Sequence, residues 1–287
     1  MTLAYLALLG RIMLVGYERI VVKQLGQRAN SEGAAFLFFA VATLFLLPFL
    51  LFVDLPSSYG FLGLVVLASS IYAIAFVLYV KSLSLGEASL VGPLYNFNIL
   101  FLLILTAILL GERVTVLKIA GILLLFFGAS LLNRTRNLLR SLGALFRDRA
   151  CRLMILCSLL MAIGRTIDGF VVQDVPPMLY AFFVYSGISL FLLIYLLLTK
   201  RTGEMLSLLR NRPGIAAAAG AVNAYAYVLL LYAFTQIDVS AAEPASMLSM
   251  IATVILARLI FKEEIGRRLA AVIIMIAGAW LLLYNPA

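Results

Sequence analysis

Two stretches of this chain repeat one another. The first, Leu78 to Leu132, reads as a helix end, a turn-like Ser84-Leu85-Gly86-Glu87, a long apolar helix carrying Pro93, a polar break at Gly111-Glu112-Arg113 and a second apolar helix. At an offset of 151, Glu87 falls on Asp238, Ser89 on Ser240, Pro93 on Pro244 and Glu112 on Glu263, while Gly128 falls one residue past Gly278. Apolar sequences align easily, so the polar matches carry the weight of an internal repeat.

The repeat lies in a chain that is hard to place in water. Hydrophobic residues make up 64% and charged residues 12%, against about 45–50% and about 25% in an ordinary soluble domain. A polytopic membrane protein follows. A helix needs about 20 apolar residues to cross the hydrocarbon core. Ten stretches qualify: 2–24, 33–53, 60–82, 88–110, 115–133, 153–173, 177–199, 214–236, 239–260 and 267–284. Short connections such as Asp54-Leu55-Pro56-Ser57-Ser58, Asp174-Val175-Pro176-Pro177 and Asn211-Arg212-Pro213-Gly214 carry turn chemistry and make neighbours antiparallel.

The one long connection, 134–152, holds six arginines, with Leu138, Leu139, Leu142, Leu145 and Phe146 at helical spacing. A basic amphipathic stretch of this kind lies in the membrane interface and tethers to anionic lipid. It divides the chain into a five-helix unit at 1–133 and another at 153–287. Five is odd, so the second unit enters the membrane from the opposite side. Inverted repeats of this kind place a binding site between the halves near the midplane. The expected fold is all-α, with ten transmembrane helices in two inverted five-helix repeats.

The net charge of +9 is no nucleic-acid signal, because the basic residues sit between apolar segments. Most of the 22 lysines and arginines fall in the connections 1–2, 3–4, 5–6, 7–8 and 9–10. Arg113 and Lys118 are assigned to connection 4–5, and Arg11 and Arg165 to helix interiors. The basic side faces the cytoplasm by the positive-inside rule. Both termini are then expected outside a prokaryotic inner (cell) membrane. Arg11 interrupts the first apolar run, which speaks against a cleaved leader.

There is no histidine, and the two cysteines, Cys151 and Cys157, are six apart. Cysteine–histidine metal sites are excluded, and a proton-coupled step must use carboxylates or tyrosines. No Asp-rich motif accompanies the missing histidine, so no catalytic residue is assigned and an intramembrane transferase is the weaker reading.

Ionisable residues inside spanning helices are functional candidates by default, at a desolvation cost of roughly 2.5–3.5 kcal/mol each. These are Arg11, Glu18, Arg165, Asp168 and Glu243. Arg165 and Asp168 are three apart and share a helix face, as do Arg11 and Glu18 at seven. Each set serves substrate, a proton or a gating ion pair. At an offset of 150, Glu18 falls on Asp168. The uncharged candidates are Tyr79, Tyr95, Asn96, Asn98, Asn223, Tyr225 and Tyr227; asparagines in apolar helices face protein or a cavity, and Tyr79 and Tyr227 offer aromatic walls. Met247 and Met250 are expected in the core. Glu112 and Glu263 end equivalent helices and are expected to pair with basic neighbours such as Arg113 or Arg267.

The pattern Tyr79-x-x-Ser82-Leu83, Glu87-Ala88-Ser89, Pro93, Gly111-Glu112-Arg113 and Gly121 resembles one repeat of the EamA-type members of the drug/metabolite transporter superfamily. Tyr232-Ala233-Phe234, Ser240-Ala241-Ala242, Pro244 and Lys262-Glu263 resemble a second. The resemblance implies a central cavity lined by helices 1, 3, 4, 6, 8 and 9. It implies alternating-access transport of a small polar or charged, amino-acid-like metabolite without ATP or cofactor. The expected partners are that small molecule, the lipid bilayer and protons, with the protein a monomer. The competing reading is a flippase for a lipid or lipid-linked headgroup, with a cavity open sideways to lipid.

Overall fold

The structure, a computed structural model, describes residues 2–25, 32–54, 56, 58–85, 92–133, 148–211, 213–261 and 269–284. Every regular element among them is helical. The first half holds α1 (Thr2–Leu25), α2 (Glu32–Leu46, continued as a tighter 3₁₀ turn to Phe52), α3 (Leu62–Leu85), α4 (Phe97–Leu109) and α5 (Val116–Asn133). The second holds α6 (Arg149–Val171), α7 (Pro177–Leu198), α8 (Thr202–Asn211), α9 (Pro213–Phe234), α10 (Val239–Ala245), α11 (Ser249–Phe261) and α12 (Leu269–Leu283).

Five helical stretches are long and apolar enough to cross a bilayer: Glu32–Phe52, α3, α6, α7 and α9. Shorter apolar helices lie at Leu94–Leu109, Val116–Gly128 and Ile273–Leu283. The 24 residues of α1 rise about 36 Å at 1.5 Å each, but they include Arg11, Glu18, Arg19 and Lys23. The short α8 was not foreseen; at ten residues it lies within connection 7–8 and packs on α2 and α9.

Local chemistry sets the boundaries. Asp148 accepts a hydrogen bond from the Ala150 amide at 2.8 Å, so α6 starts at Arg149 and takes in residues assigned from sequence to the connection. The rest of that connection, 134–147, lies outside the described residues. Thr115 caps α5 by accepting from the Lys118 amide. Both halves contain a helix broken near a proline. Pro93 falls in the 3₁₀ turn Gly92–Asn96 ahead of α4, and Pro244 ends α10 before the 3₁₀ turn Ser246–Leu248. Proline lacks the amide that the helix ladder needs.

The packing obeys an internal two-fold. Exchanging α1 with α6, α2 with α7, α3 with α9, α4 with α11 and α5 with α12 maps each main helix contact onto another. Thus α3 on α6 answers α9 on α1, α2 on α9 answers α7 on α3, and α4 on α6 answers α11 on α1. Two pairs, α2 with α7 and α5 with α12, map onto themselves. At the α5–α12 crossing a Cβ on Gly121 would stand 2.7 Å from the Gly278 carbonyl oxygen, and one on Gly278 would stand 2.8 Å from that of Gly121. Only glycine permits that approach. The glycine facing Gly278 is Gly121. Met247 is buried beside this crossing, and Met250 is packed against the same cluster.

Candidate functional site

A cavity of about 330 Å³ lies inside the bundle. Each contributing helix offers it residues at helical spacing: Arg11, Val15 and Glu18 from α1; Tyr72, Phe76, Tyr79 and Val80 from α3; Met161 and Arg165 from α6; Asn223 and Tyr227 from α9. Positions i, i+4 and i+7 share a helix face. Tyr95 contributes from the turn before α4. Ala35, Phe38 and Phe39 of α2 and Tyr185 and Ile188 of α7 complete the wall. The cavity thus runs from mid-bundle toward the end where α1 and α3 finish and α2 begins. Helices 2 and 7 take part, unlike in the set implied by the resemblance, and the ninth segment stands behind.

Arg165 is the centre of the floor. Its Nη1 donates to Asp168 Oδ2 at 3.1 Å, and its Nε lies 3.4 Å from Glu243 Oε1. Its guanidinium sits 5.5 Å from the ring centroid of Tyr72 and 5.2 Å from that of Tyr227, a cation–π arrangement. Asp168 is fully buried and does not line the cavity. It also accepts from the Tyr72 hydroxyl at 2.6 Å and the Tyr180 hydroxyl at 2.9 Å. With three donors, the carboxylate is satisfied as a buried charge must be, and its work is to hold Arg165. Gly164 lets this happen: a Cβ there would stand 2.6 Å from the Tyr72 ring.

The walls are aromatic. Tyr79 and Tyr95 meet edge to face with centroids 5.6 Å apart, and Tyr185 and Tyr227 stack at 4.7 Å and 9°. The Tyr185 hydroxyl donates to Asn223 Oδ1 at 3.0 Å. Arg11 Nη1 donates to the Ala226 carbonyl at 3.2 Å, which brings a second guanidinium beside the Tyr185–Tyr227 pair. Glu18 faces the cavity one turn beyond Val15.

The structure thus gathers Arg11, Glu18, Tyr79, Tyr95, Arg165, Asn223 and Tyr227 around one space, with Asp168 and Glu243 beneath Arg165. Asn96 and Asn98 do not line the cavity; Asn98 is buried within α4 and Asn96 precedes it. Tyr225 stands edge to face with Phe49 at 5.9 Å, outside the lining. Glu263, with Arg267, Glu87 and Ser89, lies outside the described residues. Sequence reasoning missed Tyr72, Tyr180 and Tyr185. The spacing of Tyr72, Phe76 and Tyr79 on one face of α3 was the available signal.

Glu112 departs from expectation. Arg113 is exposed, and Glu112 instead caps a helix of the other half. Its Oε1 accepts from the Val239 amide at 2.7 Å, and its Oε2 accepts from the Ser240 amide at 3.1 Å and from the Ser240 hydroxyl. A carboxylate at a helix start satisfies orphan amides and complements the dipole. Lys118, assigned from sequence to a connection, is buried in the first turn of α5. Its Nζ lies 2.6 Å from Asp238 Oδ2, 3.0 Å from Ser240 Oγ and 3.8 Å from Glu112 Oε2. Nearby, Gln173 donates to the carbonyls of Gly169 and Phe234, joining α6 to the end of α9. This polar seal stands at the bundle end opposite the cavity.

Among the described residues no three Cys, Asp or Glu side chains gather as metal ligands. Both cysteines are free and buried.

The model of the EamA-like transporter family matches the chain twice, at residues 2–134 and 149–284. No curated protein matches it. Among solved structures, one protein crystal structure superposes with a TM-score of 0.72 at 15% identity, covering 97% of this chain and 96% of the other. That likeness concerns the fold. The doubled family match spans nearly the whole chain, each copy covering one set of the helices that the internal two-fold exchanges. The chain is a multi-pass integral membrane protein and belongs to the EamA-like transporter family.

Proposed function

We propose that this protein is a secondary transporter that moves a small polar or charged, amino-acid-like metabolite by alternating access, without ATP. The observation that carries the reading is the cavity of about 330 Å³ inside the bundle, at the lower end of the range for small-ligand sites of roughly 300–1,000 Å³. Its walls combine two guanidiniums, a carboxylate and tyrosines, which suits a solute with both ionic and apolar parts. Arg11, Glu18, Arg165, Tyr79, Tyr95, Asn223 and Tyr227 contact the solute, while Asp168 and Glu243 hold Arg165.

The ten spans form two inverted five-helix repeats, the broken helices around Pro93 and Pro244 being equivalent hinges. In the present arrangement the seal of Glu112, Lys118, Asp238 and Ser240 closes one end, and the cavity approaches the other. Rocking of one half on the other breaks that seal and closes the cavity end. By the basic-residue bias the cavity end is cytoplasmic, both termini are outside and the membrane is a prokaryotic inner membrane.

Proteoliposomes loaded with a labelled amino-acid mixture test this directly. The expected result is exchange without nucleotide that is lost when Val15→Trp fills the cavity and leaves every charge in place. Exchange undiminished by that plug would refute the assignment.

A further inference from the structure

The charges under the cavity do not balance. Arg165 alone faces two carboxylates, Asp168 at 3.1 Å and Glu243 at 3.4 Å. Asp168 is saturated by Arg165, Tyr72 and Tyr180. Glu243 is not: its Oε2 is buried without a hydrogen-bond partner. Around this guanidinium, among the described residues, two carboxylates meet one cation.

Among the described residues, nothing else packed against Glu243 makes up the difference. From α6 it meets Arg165, with Asp168 beyond. Tyr72 of α3 and Tyr95 before α4 lie within electrostatic reach, and Cys157 stands beside Tyr95. Tyr227 of α9 lies under Arg165. Lys118 of α5 is held by Asp238 and Ser240. The α4 and α12 segments carry no ionisable side chain. A buried carboxylate oxygen without a partner is costly, and the remedy within reach of a transport cycle is a positive charge that arrives and leaves.

We propose that Glu243, which stands behind Arg165 and outside the cavity lining, is the docking point for one mobile positive charge, delivered to Oε2 past Arg165 as a proton or as the ammonium group of the solute. The inference rests on the transporter reading and adds the sign of what moves. A proton on Oε2 converts the carboxylate to a neutral acid and leaves Arg165 paired with Asp168 alone. An ammonium group achieves the same neutrality by ion pairing, and the tyrosine walls that already carry Arg165 suit it. Ser240 and Glu243 are one turn apart on α10, so the charge on Glu243 acts on the element that forms the seal.

Two arms separate the sources, using the full protein in lipid nanodiscs. In the first, infrared difference spectra on acidification show a carboxylic-acid carbonyl band that disappears in Glu243→Gln and shifts in Glu243→Asp. In the second, phenethylamine raises the unfolding temperature by several degrees, and the rise is lost in Glu243→Gln; phenylacetate gives none. The band identifies a proton, and the amine-specific rise identifies the solute's own charge. If the carboxylic-acid signal is unchanged by Glu243→Gln and Glu243→Asp, and phenethylamine does no better than phenylacetate, the proposal is wrong. Neither arm needs uptake, so failure of the exchange assay would count against the transporter reading and not against this result.

Discussion

At one end of the bundle, Glu112 and Lys118 of the first half grip Asp238, Val239 and Ser240 of the second. In its middle, Arg165 of the second half faces Tyr72 and the cavity. Both contacts join the halves through charge, but they are finished differently. The Glu112 carboxylate receives two amides and a hydroxyl, and Lys118 Nζ has two acceptors within 3.0 Å. The central group leaves Glu243 Oε2 unpartnered and holds Glu243 only at 3.4 Å. A buried polar network with every group satisfied rigidifies the contact it spans, whereas one with an unfilled acceptor is left costly. The difference is what the proposed roles of the two regions, sealing at the end and recognition at the centre, rest on.

The largest effect should come from the saturated part of the centre. Asp168→Ala leaves Arg165 with Glu243 as its one carboxylate among the described residues and the Tyr72 and Tyr180 hydroxyls without their acceptor. It should cost about 3–5 kcal/mol, read as a large fall in unfolding temperature. An unchanged transition would show that Asp168 does not hold the floor together. Gly164→Ala comes next: the added methyl meets the Tyr72 ring, and overpacking of this kind costs about 1–3 kcal/mol. Its loss should be partly recovered in a double variant that shortens Tyr72.

At the seal, Glu112→Ala removes a helix cap supplied from the connection between α4 and α5, worth about 1–2 kcal/mol. It should also raise labelling of a cysteine placed at Val239. Equal labelling with and without Glu112 would mean the end is closed by apolar packing alone. Smaller again, Tyr185→Leu abolishes the stack on Tyr227, worth about 0.5–1.5 kcal/mol beyond burial. It should weaken ligand binding more than folding. The smallest change belongs to Glu32→Gln, because its partner Arg201 is half exposed. A screened pair of this kind contributes about 0–1 kcal/mol, and added salt should remove even that.

Much of this arrangement is legible in the sequence because it is local or periodic. Arg165 and Asp168 announce their pairing by a spacing of three, and Pro93 and Pro244 mark the two broken helices. The apolar runs place the main helices, since burial in lipid needs continuous hydrophobic length. What could not be read depends on distance along the chain. Lys118 follows Arg113 closely and looks like a connection residue; its partners are 120 and 122 residues away. Glu112 was expected to use Arg113, its neighbour in sequence, but the amides of Val239 and Ser240 lie nearer in space. Tyr72 and Tyr180 resemble ordinary packing tyrosines until Asp168 is seen between their hydroxyls. The close approach of Gly121 to Gly278 is likewise invisible along the chain, because the crossing point of two helices is set by packing.

Sidedness of thiol labelling tests the central claim most directly. In a cysteine-free background in oriented proteoliposomes, a cysteine at Val80 in the cavity is compared with markers at Lys200, near the Glu32–Arg201 end, and Tyr59, in the connection between α2 and α3. With the seal intact, a membrane-impermeant reagent should reach Val80 from the face that exposes Lys200 and be blocked from the face that exposes Tyr59. Labelling from the Tyr59 face at the rate of the Tyr59 marker would contradict a cavity closed by Glu112, Lys118, Asp238 and Ser240.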